Sequence, residues 1–178
     1  MQRIWAPWRL EYIENAERQQ GCILCRFPAE GRDAERYILC QHTHTFVILN
    51  AYPYSNGHLM VVPRRHTASL DDLNADARLE LMDLVAESVR VLKQAYRPDG
   101  FNIGINIGRV AGAGIEDHIH VHVVPRWNGD TNFMAVTGDT RVLPASLRAT
   151  YDRLVVLFGQ ASSGDTSEEE PLLDAAPV

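Results

Sequence analysis

A chain of 178 residues, 46% of them hydrophobic, is long enough to bury one good core and too short for two full domains. Its formal net charge of -6 excludes a general nucleic-acid coat, since sequence-independent binding to duplexes needs a basic surface. No run approaches the roughly 18 apolar residues of a membrane span, and the first eight residues hold no apolar signal block, so a cytoplasmic protein without nucleic-acid or membrane partners is expected.

In chain order, the aromatic-rich residues 5–13, with Pro7 where a helix could begin, predict a short helix docked on the body. Cys22-Ile23-Leu24-Cys25 follows, and the polar residues 29–35 read as a loop. A Cys-x-x-Cys pair has two sharp meanings, a redox couple or half of a zinc site whose other ligands lie elsewhere. The redox meaning needs a strand feeding the motif and a helix leaving it, a context that an N-terminal arm does not supply. Residues 1–36 are read as this arm. Three cysteines in all suit a reducing compartment better than a disulfide framework.

Residues 37–41, 45–49 and 58–63 are apolar, β-rich runs separated by turn residues, which predicts an antiparallel meander. Asn56-Gly57 is a strong turn signal within the connection that starts at Asn50. The one long helix is expected over residues 71–96, with Asn74 as its cap and Leu81, Leu84, Val85, Leu92 and Tyr96 at helical spacing. Residues 101–108 then alternate, placing Phe101, Ile103, Ile105 and Ile107 on one face and Asn102, Gly104 and Asn106 on the other. The Gly- and Ala-rich residues 109–117 expose backbone N–H groups of the kind that cup an anion.

His118, His120 and His122 alternate with Ile119, Val121 and Val123, the two-residue period of a strand with one apolar and one chemical face. Successive same-face positions lie roughly 6.5 to 7 Å apart, so the three imidazoles can form a row facing one phosphate or metal. Histidine changes protonation near pH 7, which suits nucleophilic attack, acid–base work or metal ligation. Further on, residues 134–142 hold a candidate strand, residues 144–158 a C-terminal helix, and residues 160–178 the composition of a disordered tail. The core domain is read as residues 37–130, with residues 131–159 as an extension. The whole is expected to be α+β, an antiparallel sheet of about five strands flanked by one long helix.

The run from His118 to Val124 resembles the signature of the histidine triad (HIT) family, and residues 50–63 look like that family's first nucleotide-binding segment. Residues 125–133 are similar to a branch that includes bacterial diadenosine tetraphosphate phosphorylases. The resemblance implies a HIT-like fold and cleavage of a dinucleoside polyphosphate or related purine nucleotide, or alternatively of a nucleoside phosphoramidate, with water or phosphate as acceptor. By that resemblance His120 attacks the α-phosphorus and His122 bonds the α-phosphate. Asn106 holds the same phosphate, Asn50 the ribose, Ile48 and Leu49 lie near the base, and Gly112, Ala113, Gly114 and Ile115 offer N–H groups to the phosphates. Many relatives carry a polar residue where this chain has Gly114, which bears on the leaving group.

The same resemblance implies a structural zinc, one per chain, on Cys22, Cys25, His66 and His118. It also implies a homodimer or a dimer of dimers. Two rivals remain at this point, a metallohydrolase with a catalytic zinc on all three histidines and a nucleotide-binding protein without turnover.

Overall fold

The computed structural model describes residues 21–130 and 145–163. The expected helix over residues 5–13 and strand over residues 134–142 lie outside the described residues, as do residues 164–178. In chain order the elements are α1 (Ile23–Ala29), α2 (Asp33–Arg36), β1 (Ile38–Gln41), β2 (Thr45–Leu49), β3 (Leu59–Pro63), α3 (Ala75–Tyr96), β4 (Gly100–Ile105), a 3-10 turn (Arg109–Ala111), β5 (Val121–Arg126) and α4 (Leu147–Ser163).

The five strands form one antiparallel sheet of order β1-β2-β3-β5-β4. The first three make the expected meander, with Val47 opposite Val61 and Ile48 opposite Met60. Helix α3 then carries the chain to the far edge, and β5 returns between β3 and β4. The α+β class follows from this segregation of helices and strands.

Alternation along the strands gives the sheet two apolar faces. Val47, Leu49, Leu59, Val61, Val121 and Val123 pack against α3 and α4, whereas Ile38, Phe46, Ile48, Met60 and Val62 pack against Leu24 of α1. Helix α3 begins where Asn74 Oδ1 accepts the Ala77 N–H at 2.8 Å, a cap worth about 1 kcal/mol. Its Leu81, Leu84 and Leu92 are buried, each contributing about 1.5–3 kcal/mol. Glu80 on the same helix accepts from the His44 N–H at 2.8 Å and the Thr45 hydroxyl at 2.6 Å, tying α3 to the start of β2.

Several boundaries differ from expectation: the long helix starts at Ala75 rather than at residue 71, after its Asn74 cap. Residues 29–35 are not a plain loop: α1 runs to Ala29, and Asp33–Arg36 forms one helical turn. That turn is held by side chains, with Gln41 Nε2 donating to Asp33 at 2.8 Å and Arg36 Nε to Glu30 at 2.6 Å, and it ends at Tyr37 in the left-handed region. Four residues are too few to show a period. Helix α4 starts after Ser146, whose hydroxyl accepts the Ala149 N–H at 3.2 Å, so the cap rather than Pro144 sets its start. It continues past Phe158 to Ser163, which makes the first four residues of the expected tail helical. Strand β4 stops at Ile105, before Asn106 and Ile107.

Candidate active site and metal cluster

The alternation of His118, His120 and His122 places them on one strand face, but only His122 lies in β5. The chain bends at His118, and the row expected from a continuous strand is split into two chemically different sites. His118 is buried and donates from Nε2 to the Pro63 carbonyl at 2.7 Å, which turns its Nδ1 toward the N-terminal arm. His120 and His122 stay together, their rings 4.8 Å apart between centroids and nearly perpendicular.

Each ring's tautomer follows from its partners. His120 Nδ1 lies 2.8 Å from the His118 carbonyl oxygen, which can only accept, so Nδ1 carries the proton and Nε2 keeps a lone pair. Burial pushes the imidazole below its usual pKa, against the opposing pull of that carbonyl, and favours the neutral ring. A buried, neutral imidazole with one nitrogen held and the other unprotonated has the form required of a nucleophile.

A fourth histidine, His58, orders the third. The Tyr54 N–H donates to His58 Nδ1 at 3.0 Å, so the proton of neutral His58 sits on Nε2 and is donated to His122 Nδ1 at 3.0 Å. His122 then carries its own proton on Nε2, as a donor. Asn50 Nδ2 lies 3.4 Å from His58 Nε2, but Asn50 Oδ1 is fixed by the Tyr52 N–H at 2.9 Å, so that contact sets two donors side by side and is not a hydrogen bond. Sequence reasoning placed His58 at the start of a strand and gave it no role. The Asn-Gly turn just before a buried histidine was the available signal.

His120 and His122 line a cleft of about 280 Å³. Of the residues expected at a nucleotide, Ile48, Leu49, Asn50, Gly112, Gly114 and Ile115 also line it, while Asn106 and Ala113 are not among its lining residues. Asn106 lies one residue past the last β4–β5 pair, Ile105 with Val121, so the register continues toward His120. The Gly112 N–H is already used, donating to the Arg109 carbonyl at 3.0 Å to close the 3-10 turn. The opposite wall was not foreseen. Ile23, Leu24 and Phe27 of α1, with Arg36 and Tyr37, close the cleft from the N-terminal arm.

Outside the lining of the cleft, Cys22, Cys25, His66 and His118 converge, one ligand atom from each lying within 4.8 Å of the others. His118 Nδ1 is 3.3 Å from Cys22 Sγ, 3.4 Å from Cys25 Sγ and 3.3 Å from His66 Nδ1, and Cys25 Sγ is 3.4 Å from His66 Nδ1. Bonds of about 2.0–2.1 Å to nitrogen and 2.3 Å to sulfur give tetrahedral edges of about 3.3–3.6 Å for pairs that include a nitrogen and about 3.8 Å between the sulfurs, so the four residues fit a zinc ion. The Pro63 carbonyl supplies the outer partner that fixes His118 with Nδ1 toward that position. Burial, and next the neighbouring Cys22, push the Cys25 thiol up to about 11, a rise that a bound divalent cation reverses. The metallohydrolase reading fails here. Among the described residues the one group able to hold a metal takes His118 alone from the triad, together with Cys22, Cys25 and His66, and does not bring the three histidines to one ion.

Residues 32–129 match the family model for the HIT domain. Over 157 residues the chain is 40% identical to a protein of Mycobacterium tuberculosis named AP-4-A phosphorylase, an alignment covering 84% of this chain and 80% of that one. The fold is similar to that of a zinc-bound histidine triad family protein from Mycobacterium smegmatis, with a TM-score of 0.65 and 28% identity over 82% of this chain and 98% of that one. It is also similar to a hypothetical histidine triad nucleotide-binding protein from Sulfolobus tokodaii, with a TM-score of 0.64 and 26% identity over 83% of this chain and 99% of that one.

Proposed function

The chain belongs to the HIT domain family, and from that premise we propose that it is a nucleotide hydrolase or phosphorylase that cleaves dinucleoside polyphosphates through a nucleotidyl–His120 intermediate. The observation that carries this reading is the His120 ring: its Nδ1 proton is held by the His118 carbonyl, and its lone-pair nitrogen belongs to a residue lining the cleft. The 40% identity to a protein named AP-4-A phosphorylase supports the substrate class.

In the first step Nε2 of His120 attacks the α-phosphorus. A phosphorus–nitrogen bond forms, the bond to the bridging oxygen breaks, and the rest of the polyphosphate leaves as a nucleotide, ATP in the case of diadenosine tetraphosphate. His120 keeps its Nδ1 proton, so the adduct is an imidazolium whose charge the His118 carbonyl stabilises. His122, protonated on Nε2 through the relay from His58, donates to the α-phosphate oxygens as charge spreads over them. In the second step an oxygen of water or inorganic phosphate attacks the same phosphorus, the phosphorus–nitrogen bond breaks and the entering oxygen's proton goes to solvent. The product is AMP with water and ADP with phosphate.

Asn50 binds the ribose, Ile48 and Leu49 flank the base, and Asn106 and the backbone of residues 113–115 meet the phosphates. Gly114 offers no side chain there, which leaves the leaving group to backbone donors. Cys22, Cys25, His66 and His118 hold the zinc, which supplies structural cross-linking and no reacting atom. The cross-link fixes His118, whose carbonyl sets the tautomer of His120.

The protein works as a homodimer in a reducing cytoplasm. The position of β4 at the edge of the described sheet, where Ile103 is 48% exposed, supports the first point, and a thiol pair beside two imidazoles supports the second. No described helix is long and apolar enough to cross a membrane.

The test is to incubate diadenosine tetraphosphate with the protein, with and without inorganic phosphate, and identify the nucleotides formed. ATP with ADP, or ATP with AMP, fits attack at the α-phosphorus. Two molecules of ADP in the absence of phosphate would place attack at the central bond and overturn the assignment.

A further inference from the structure

Of the phenylalanine, tyrosine and tryptophan side chains among the described residues, only Tyr52 and Tyr54 stand exposed, at 44% and 38%. Both line the cleft that holds His120 and His122. An exposed ring at a cleft offers a ligand a flat apolar face with a polar handle. The backbone under the two rings is fixed on both sides of Pro53. The Tyr52 N–H donates to Asn50 Oδ1 at 2.9 Å, and the Tyr54 N–H donates to His58 Nδ1 at 3.0 Å. Pro53 fixes its own φ and steers Tyr52 away from helical backbone. The Tyr54 ring is held as well: it stacks on the buried His58 ring at 4.8 Å, with 26° between the planes, and its centre lies 6.2 Å from that of His122. A surface set in place before its ligand arrives loses little freedom on binding.

We propose that Tyr52 and Tyr54 form a stacking subsite for the second nucleobase of the substrate, the one that departs with the leaving nucleotide. The proposal deepens the dinucleoside polyphosphate reading given above and rests on it. In that reading Ile48, Leu49 and Asn50 take the first nucleoside, so the second must be met by other residues. His122 donates to the α-phosphate, and the Tyr54 ring lies beside His122, which sets the subsite next to the reacting phosphate. The flexible phosphates beyond that point let the second nucleoside fold onto the two rings. Stacking grips a base by its face and reads none of its edges. The subsite therefore selects substrates with two nucleosides over those with one, and is tolerant of which base the second carries.

The test uses the full chain and two compounds, diadenosine tetraphosphate and adenosine 5′-tetraphosphate, which keeps the four phosphates and lacks only the second nucleoside. The KM of the first is compared with the Ki of the second as a competitor, a quantity that is read whether or not the competitor is itself cleaved. The ratio of Ki to KM should fall about tenfold in Tyr52→Ala and in Tyr54→Ala, and stay near the wild-type value in Tyr52→Phe and Tyr54→Phe. Because Tyr54 also stacks on His58, Tyr54→Ala should lower kcat as well, a loss that the ratio does not contain. An unchanged ratio in either alanine variant overturns the subsite. So does a ratio lost equally in the phenylalanine variants, which would place recognition in the hydroxyls rather than the ring faces. A wild type that cleaves diadenosine tetraphosphate with KM equal to that Ki removes the subsite alone, whereas a wild type that does not cleave it removes the nucleotide reading and this proposal together.

Discussion

A histidine ring offers two nitrogens with opposite roles, and at this site three rings, those of His118, His120 and His58, each have one nitrogen assigned by a backbone partner that leaves no choice. Backbone carbonyls, at Pro63 for His118 and at His118 for His120, can only accept, and the backbone N–H of Tyr54 can only donate to His58. In the function proposed here, His118, His120 and His122, with nearly the same sequence context, serve as a metal ligand, a lone-pair nucleophile and a phosphate donor. His58 controls the last of these without touching the reacting atoms, so it is a positioning residue. Replacing it as His58→Ala should lower kcat by about 100-fold while changing KM little, because His122 is then free to take the wrong tautomer. Steady-state kinetics decides it, and an unchanged kcat would remove the relay. The alternation of the triad was legible in the sequence, as was the pairing of Cys22 and Cys25 with His66 and His118 through family resemblance. The tautomers were not, since each is set by a carbonyl or N–H that only the folded backbone supplies.

The elements around the site divide by length. Helix α3 and the strands β1 to β3 could be read from period and caps, because each repeats its pattern often enough to be seen. The α1 wall could not, for it buries a single leucine and is held by side chains from residues 66 and 118. The turn before His58 was legible as Asn56-Gly57, and its necessity is now physical. Gly57 has φ of +81°, and a Cβ there would lie 3.0 Å from Leu92 Cδ2 and 3.2 Å from Tyr96 Cε2. Gly57→Ala should therefore destabilise the protein by about 2 kcal/mol, combining left-handed strain with a clash against α3. Denaturant unfolding would show it as a lower midpoint at unchanged slope, and an unshifted midpoint would mean that the turn and helix yield freely.

At the scale of the molecule, the sheet separates support from chemistry. One face is packed by α3 and α4, and the other carries the cleft, with the cluster and α1 at its side. Among the described residues β4 is an edge strand of the sheet: Phe101 and Ile105 reach the core, whereas Ile103 on the same face stands 48% exposed. If β4 is the dimer edge, Ile103→Lys should halve the mass seen by light scattering while changing the stability of each subunit by no more than about 0.5 kcal/mol. An unchanged mass would move the interface elsewhere.

The central claim is that phosphorus becomes bonded to Nε2 of His120. The most direct measurement is single-turnover mixing with α-phosphorus-labelled diadenosine tetraphosphate, an alkaline quench and mass mapping of the labelled peptide. An adenylyl group on His120, absent from His120→Ala, is the result predicted. Full product formation with no label on the chain at any time would mean that the acceptor attacks phosphorus directly, and it would contradict the account.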